Sequence, residues 1–252
     1  HIQLTRYNHS KLTMLGQTHC MIFLKDNPLR LHPRCHQTSC QFDQSLYSEE
    51  LANKYEVNLP VKLESAINKR KIEYIAGRYC AIQSLKALSS MMPPNISTNK
   101  NRSPNWPEGY IGSITHSKGF ASAAIAEKKY IRAIGIDSEL LIKERTANNI
   151  RSHVLTDNEK HEDNLWITEN FHEYLTLIFS AKESIYKCLN PLVNKYFDFR
   201  DARISFDKEN PNAFSYELLK TLNPEFSEGY QGNGEFLIND GFIHTGTIIN
   251  IQ

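Results

Sequence analysis

Two carboxylates follow an apolar run in the middle of the chain. Residues 131–136 are typical of a buried β-strand, and Asp137 and Glu139 come directly after them. Because side chains alternate along extended backbone, residues two positions apart point to the same face. Carboxylates held this close repel each other unless a cation lies between them. Oxygen ligands of this kind suit Mg²⁺, which keeps several waters and takes further oxygens from substrate phosphates.

A further carboxylate lies on a predicted helix downstream, over residues 172–192. At roughly 100° per residue, this helix places Ser180, Glu183 and Lys187 on one stripe. The opposite stripe is apolar and is expected to contact the core; it contains Ile178, Ala181, Ile185, Leu189 and Leu192. We therefore expect Glu183 and Lys187 on the solvent-exposed face, where an isolated ion pair would contribute only about a few tenths of a kcal/mol.

These groups together could handle phosphate. Glu183 could supply a third carboxylate to the cation, and Lys187 could neutralise phosphate charge or move a proton. His116 adds an imidazole at the end of the predicted strand 111–117. Taken one at a time, an Asp-x-Glu pair is usually solvated surface and a lone histidine is usually structural. A magnesium-dependent phosphate reaction is therefore a hypothesis that depends on the whole set.

Hydrophobic periodicity predicts the elements that must position these residues. Apolar residues at spacings of three and four predict an amphipathic helix over residues 65–88. Strands are predicted at 19–24, 111–117, 120–126 and 131–136, and further helices at 146–154 and 157–165. A β-rich tail has strands at 198–206, 215–218, 234–239 and 242–251, whereas 31–45 and 89–105 are predicted loops. A helix followed by antiparallel strands thus occurs twice, which predicts an α+β fold with two similar halves.

The composition is that of a soluble globular protein. The 252 residues are 40% apolar and carry a net charge of +1, so no bulk attraction to nucleic acid or membrane is expected. No apolar run approaches the roughly 20 residues of a membrane span. No signal peptide is visible, and the sequence begins without Met, so the true N-terminus stays open.

Cysteine usage bears on the compartment and on metal binding. Five scattered cysteines indicate a reducing compartment, and we expect a cytoplasmic protein. The residues His32, Cys35, His36 and Cys40 lie close together. Their spacing fits no common zinc module, so a loop is predicted here in preference to a zinc site.

Four segments resemble those of one enzyme family. Residues 70–81 are similar to its Arg-Lys-x-Glu-aromatic-x-Ala-Gly-Arg-x-x-Ala segment, and residues 104–116 to its Pro-x-Trp-Pro…Gly-Ser-Ile-Ser/Thr-His segment. Residues 135–139 are similar to Gly-Ile-Asp-Ile-Glu, and residues 179–187 to Phe-Ser-x-Lys-Glu-Ser-x-aromatic-Lys. The family is the 4′-phosphopantetheinyl transferases of the surfactin type, and the subgroup is that of enterobactin synthetase component D. The order and spacing of four segments across residues 67–190 make coincidence improbable.

The resemblance implies a reaction, a fold and a set of residues. The reaction would be Mg²⁺-dependent transfer of 4′-phosphopantetheine from coenzyme A to a serine of an apo carrier protein, with release of 3′,5′-ADP. The fold would be two pseudo-symmetric halves, each a small antiparallel sheet packed with a long helix, with the active site at their junction. The halves would comprise residues 1–134, on the coenzyme A nucleotide side, and 135–252, with the carboxylates and the catalytic helix.

The family's site residues carry over onto matching positions. The implied metal ligands are Asp137, Glu139 and Glu183, and the implied catalytic residues are Glu183, Lys187 and His116. The implied coenzyme A contacts are Arg70, Arg78, Ser113, His116, Lys182 and Lys187. The base that accepts the carrier serine's proton could be Glu183 or a water on the metal. Ser138 replaces a residue that is usually apolar in the family, and we expect its side chain to point away from the metal.

Partners and alternatives follow from the same resemblance. The acceptors would be peptidyl, aryl or acyl carrier domains that are acidic around their serine, with the carriers of nonribosomal siderophore synthesis favoured by the subgroup. A monomer is expected. One alternative is a different Mg²⁺-dependent nucleotide enzyme, although the chain has no Gly-x-x-x-x-Gly-Lys-Ser/Thr loop. Another alternative is a carrier-binding module that has lost the chemistry.

Overall fold

The computed structural model describes residues 20–24, 27–89, 95–161, 168 and 170–251. These residues fall into two compact units, which divide between Ile131 and Arg132. Each unit has its own apolar core. We call them unit 1 and unit 2 and describe each by itself.

Unit 1 contains a four-stranded antiparallel sheet and one long helix. Its strands are β1 (Met21–Phe23), β2 (Cys35–Phe42), β3 (Tyr110–Ser117) and β4 (Phe120–Glu127), in the order β1-β2-β4-β3. Its helices are the short α1 (Leu51–Lys54) and α2 (Val61–Glu64) and the long α3 (Asn68–Leu88). The predicted helix 65–88 and the predicted strands 19–24, 111–117 and 120–126 are confirmed, except for His19, which lies outside the described residues. The apolar stripe of α3 packs on β2 and β4, where Ile72, Ile75, Ile82 and Leu85 are buried and Tyr79 and Leu88 are partly buried.

The prediction of a loop over residues 31–45 is wrong, because β2 is a central strand of this sheet. Its composition is polar, which concealed it from a hydrophobic-pattern argument. The structure satisfies these polar groups across strands: Gln37 and Ser39 both hydrogen-bond to the Ser122 hydroxyl at 2.9 Å. At the buried end of β2, Cys40 Sγ lies 3.4 Å from Cys80 Sγ of α3.

Unit 2 contains a five-stranded sheet of order β5-β9-β8-β7-β6. The strands are β5 (Ile131–Leu140), β6 (Ala202–Phe206), β7 (Ala213–Leu218), β8 (Gln231–Asn239) and β9 (Phe242–Asn250). The helices are α4 (Glu144–Val154), α5 (Asp157–His161) and α6 (Phe171–Val193). These elements confirm the predicted tail and helices, except that Phe199–Asp201, inside the predicted strand 198–206, form a short 3-10 helix. The part of the predicted helix 157–165 after residue 161 lies outside the described residues.

Local sequence explains where the helices of unit 2 begin and end. The Asn170 side chain accepts the Glu173 backbone N–H at 3.0 Å, and α6 is followed by Asn194, whose φ of 46° is left-handed. A cap precedes α5, since the Glu159 carboxylate accepts the Thr156 N–H at 2.7 Å. The helix α6 packs along β9.

The architecture is therefore α+β with two antiparallel sheets, as predicted. Whether the active site lies at a junction of the two halves stays a prediction. Within the residues described, no helix is both long and apolar enough to cross a bilayer.

Candidate functional site

A glycine brings the strand β5 against the helix α6. A Cβ atom on Gly135 would lie 1.8 Å from the Ser184 carbonyl oxygen and 2.7 Å from the Cys188 nitrogen. Only a residue without a side chain permits this backbone contact. The next residue on the same face of β5 is Asp137, which is thereby directed at α6.

The carboxylate of Asp137 is held by two side chains of α6. Lys187 Nζ donates to Oδ1 at 2.7 Å, and the Ser180 hydroxyl donates to Oδ2 at 2.8 Å. Asp137 is 3% exposed and Ser180 is fully buried. The prediction that the Ser180 stripe faces solvent is therefore wrong for Ser180, because β5 and β9 cover it. Lys187 pairs with Asp137, and its side chain is 27% exposed.

Three carboxylates act on the ammonium group of Lys187. Burial alone would lower the pKa of Lys187, but Asp137, Glu183 and Glu139 together raise it above its ordinary value. Burial raises the pKa of Glu183; Lys187 opposes this shift and Asp137 adds to it. Lys187 thus stays protonated among acidic groups, and Glu183 gives up its proton less readily than an exposed carboxylate.

The chemistry of these donors fits Mg²⁺. In the described parts of the chain, no three His, Cys, Asp or Glu side chains already form a group that could hold a metal ion. Mg²⁺ does not require such a cage, because it binds through one or two carboxylates, waters and substrate phosphates. Asp137 and the half-buried Glu139 and Glu183 supply oxygens of this type.

Ser138 contacts a buried histidine. Its hydroxyl lies 2.9 Å from His244 Nδ1, and His244 Nε2 lies 3.1 Å from Asn239 Oδ1. Burial lowers the pKa of His244 to about 4, with Asp137 opposing the shift. The residue that departs from the family pattern is therefore accommodated by a polar pair between β5 and β9. The expectation that its side chain points away from the metal stays a prediction.

Lys182 lies apart from the Asp137 cluster. Its Nζ donates to Glu159 Oε2 at 2.7 Å and to the Val154 carbonyl at 2.8 Å. The side chains of Lys182 and Glu159 are 1% and 0% exposed. Such burial favours a structural role for Lys182, and its predicted contact with coenzyme A stays a prediction.

A second cluster of predicted residues lines a groove of about 940 Å³ in unit 1. Arg70, Arg78 and His116 lie in its wall, whereas Ser113 is buried and lies outside the lining. Arg78 donates to the Thr98 hydroxyl at 2.9 Å. The structure therefore brings three of the predicted coenzyme A contacts together in one cleft.

Sequence reasoning missed three cations of this groove, namely Lys62, Lys100 and Arg102. They lie in α2 and in the loop before β3, and only their spatial proximity to α3 identifies them. Among the described residues of the lining, the one carboxylate is that of Glu73, whose Oε2 lies 3.8 Å from His116 Nδ1. Burial raises the pKa of Glu73, with Lys69 and Arg70 opposing the shift. The groove is thus strongly cationic, which suits a polyanionic ligand.

A smaller cavity of about 210 Å³ in unit 2 is lined by four aromatic rings, by Ala202 and by the charged residues Lys182, Glu183 and Asp198. Its wall includes Tyr186, Tyr196, Phe197 and Phe199, together with Glu183. Tyr196 is 73% exposed. Glu183 therefore lies between the acidic cluster and a recess that both aromatic and charged side chains line.

Comparisons with known proteins give the family. The model of the 4′-phosphopantetheinyl transferase N-terminal domain matches residues 59–126, and that of the 4′-phosphopantetheinyl transferase superfamily matches residues 133–238. The chain is 32% identical over 210 residues to 4′-phosphopantetheinyl transferase Npt of Nocardia iowensis, an alignment that covers 79% of this chain and 90% of that protein.

Two further relatives align over shorter stretches. Enterobactin synthase component D of Salmonella typhi is 34% identical over 132 residues, covering 52% of this chain and 53% of that protein. 4′-Phosphopantetheinyl transferase PptT of Mycobacterium tuberculosis is 29% identical over 145 residues, covering 58% of this chain and 62% of that protein. The predicted resemblance is confirmed, and the chain belongs to the 4′-phosphopantetheinyl transferase family.

Proposed function

We propose that this protein transfers 4′-phosphopantetheine from coenzyme A to a serine of an apo carrier protein. The serine oxygen forms a bond to the phosphorus that bears the pantetheine. The bond from that phosphorus to the oxygen it shares with the other phosphate of the diphosphate breaks, and 3′,5′-ADP leaves with the electron pair. A base accepts the serine proton. The observation that supports this proposal best is the buried Asp137, held by Lys187 and Ser180 beside two further carboxylates.

The roles of the residues in unit 2 follow from their charges. Asp137, Glu139 and Glu183 would hold Mg²⁺, which when bound neutralises charge on the diphosphate. Lys187, protonated and partly exposed, contributes a positive charge next to Asp137. Glu183 is one candidate for the base, with water as the other. The aromatic cavity next to Glu183 can exclude water from an organic tether attached to the diphosphate.

The cationic groove of unit 1 would bind the nucleotide end of coenzyme A. Arg70 and Arg78 can each contact phosphate oxygens with a forked guanidinium group. Lys62, Lys100 and Arg102 add charge around the same cleft, and His116 adds an imidazole. A groove with this charge can recognise the 3′-phosphate that distinguishes coenzyme A from its dephosphorylated form.

The carrier and the pathway are the finer part of the proposal. The relatives named enterobactin synthase component D favour carriers of nonribosomal siderophore synthesis as acceptors. We further propose a cytoplasmic monomer, because the five cysteines of the sequence favour a reducing compartment and both units belong to one chain.

The test is intact-mass analysis of an apo carrier domain incubated with this protein, coenzyme A and Mg²⁺. We expect a gain of about 340 Da on the carrier, the mass of the transferred group. The gain should be absent with EDTA and with Glu183→Gln, and present with the control Glu209→Gln, which removes an exposed carboxylate from a turn. Peptidyl, aryl and acyl carriers tested in parallel identify the acceptor class.

Other outcomes select the alternatives. Coenzyme A binding without any mass gain would favour a carrier-binding module. Hydrolysis of coenzyme A or another nucleotide without a protein acceptor would favour a different Mg²⁺-dependent enzyme. Absence of both binding and transfer would contradict the proposal.

A further inference from the structure

A chain of three buried polar side chains leads from the strand β9 to Asp137. The Thr245 hydroxyl lies 2.9 Å from the Ser180 hydroxyl, which donates to Asp137 Oδ2 at 2.8 Å. Thr245 also lies 2.8 Å from the carbonyl oxygen of Ser180. Thr245 and Ser180 are both fully buried, and Asp137 is 3% exposed.

The number of available protons determines which group donates in each of these hydrogen bonds. The carboxylate of Asp137, paired with the Lys187 ammonium, can only accept hydrogen bonds. The single hydroxyl proton of Ser180 is therefore committed to Asp137. The contact between the two hydroxyl oxygens then needs a proton that only Thr245 can supply. Thr245 accordingly donates toward Ser180, sharing its proton between the hydroxyl and the carbonyl oxygen.

This arrangement fixes both oxygens of the Asp137 carboxylate. Lys187 fixes Oδ1, and Ser180 fixes Oδ2. Ser180 is itself oriented by Thr245, which belongs to a strand that pairs with β5. Groups that hydrogen-bond to a metal-binding carboxylate orient it and strengthen the site.

We infer that Thr245 is a positioning residue, which acts through Ser180 to orient the Asp137 carboxylate toward the divalent cation. This inference rests on the proposed function for the role of Asp137. The match of the family model ends at residue 238 and therefore does not include Thr245. Packing alone does not require the buried hydroxyl of Thr245, since valine has nearly the same shape without a polar group that needs a partner.

The substitutions Thr245→Val and Thr245→Ser separate the hydroxyl from the packing. Valine keeps the shape and removes the hydroxyl, whereas serine keeps the hydroxyl and removes a methyl group. The measurement is Mn²⁺ binding in the presence of coenzyme A and without a carrier, followed by the electron paramagnetic resonance of free Mn²⁺. Because no turnover occurs, the dissociation constant reports on the site and not on the rate of transfer.

The expected increase in the Mn²⁺ dissociation constant differs among the variants. Ser180→Ala should raise the Mn²⁺ dissociation constant about 10- to 100-fold, the usual effect of removing a group that orients a metal ligand. Thr245→Val should raise it about 3- to 10-fold, since Ser180 keeps its own donor. Thr245→Ser should stay within about twofold of the unmodified protein. The double variant Ser180→Ala/Thr245→Val should bind no more weakly than Ser180→Ala, because Thr245 acts through Ser180.

Three results would overturn the inference. One is a Thr245→Val protein with an unchanged dissociation constant, and another is equal weakening by Thr245→Val and Thr245→Ser. The third is an additive loss in the double variant. If Thr245→Val does not fold, Thr245→Ser is compared with Ser180→Ala instead. A dissociation constant for Thr245→Ser near that of Ser180→Ala contradicts a role for the Thr245 hydroxyl.

A control distinguishes this inference from the proposed function. If the unmodified protein and Asp137→Asn bind Mn²⁺ equally, Asp137 does not bind the cation, and the proposed site is wrong. If Asp137→Asn weakens binding and Thr245→Val does not, the site stands and only the positioning role fails.

Discussion

The buried pair of Lys182 and Glu159 allows a sharp prediction about stability. Lys182 Nζ donates to Glu159 Oε2 at 2.7 Å and to the Val154 carbonyl at 2.8 Å. The same carboxylate accepts the backbone N–H of Thr156 at 2.7 Å and that of Ile204 at 2.8 Å. One ion pair therefore connects α6 with the ends of α4 and α5 and with β6. Burial lowers the pKa of Lys182, although Glu159 opposes the shift.

Removing one partner should be costly, because it leaves the other charge buried. Lys182→Met leaves the Glu159 carboxylate with only backbone N–H groups, and Glu159→Gln leaves the Lys182 ammonium with a carbonyl and a neutral amide. Each substitution should lower the free energy of unfolding of unit 2 by about 3–5 kcal/mol. The double variant should lose less than the sum of the two, with a coupling free energy of about 2–3 kcal/mol.

The assay is urea unfolding combined with hydrogen exchange, read on peptides from α6 and β6 and, for comparison, from α3. The matched control is Lys160→Met, which breaks a pair of the same 2.7 Å length to Asp157, whose side chain is 88% exposed. It should cost at most about 1 kcal/mol. If Lys182→Met lowers the free energy of unfolding as little as Lys160→Met does and raises the KM for coenzyme A, the structural role is refuted and a ligand contact is supported.

Three further predictions concern packing, pH and the groove. Gly135→Ala should destabilise unit 2 severely, since its Cβ would lie 1.8 Å from a backbone oxygen of α6. Gly229→Ala, with a φ of +84° but open space, should cost only about 1–2 kcal/mol, and equal urea midpoints would contradict the close contact. Burial raises the pKa of Glu183 in the folded protein, so the metal-free stability should fall as pH rises through the interval between its unfolded and folded pKa values. Glu183→Gln should abolish this fall. If the free energy of unfolding changes with pH equally in Glu183→Gln and in the unmodified protein, the predicted effect of Glu183 is contradicted. Lys100→Ala should raise the KM for coenzyme A about 3- to 10-fold and that for dephospho-coenzyme A less, whereas Lys128→Ala, outside the groove, should change neither.

Periodicity in the sequence predicted the long elements well. The helices α3 and α6 and the strands β3 to β5 have strong apolar patterns, and each formed within a few residues of its predicted bounds. Polar β2 could not be found in this way, because its strand character comes from pairing with β1 and β4. The same limit applied to Ser180, whose burial is imposed by a strand from elsewhere in the chain.

The sequence predicted only those site residues that belong to a recognised motif. Asp137 and Lys187 follow from local segments, and their ion pair follows from the packing of β5 on α6. Lys100 contributes to the groove because a loop returns to α3, and no local pattern predicts that return. Thr245 is 65 residues from Ser180. Its relation to Asp137 becomes visible only when β9 is paired with β5.

The pairing of β5 with β9 also sets the order in which the protein can be completed during its synthesis. The strand β5 ends at Leu140 and β9 begins at Phe242. About 100 further residues must therefore be translated before the strand of Asp137 has its neighbour, which takes roughly 5–20 s at about 5–20 residues per second. All the strands of unit 1 have been made by then. In a nascent chain, the cationic groove of unit 1 can thus form early, whereas the carboxylate of Asp137 becomes ordered late. Until β9 emerges from the ribosome, the apolar β5 presents an unpaired strand that other chains could join.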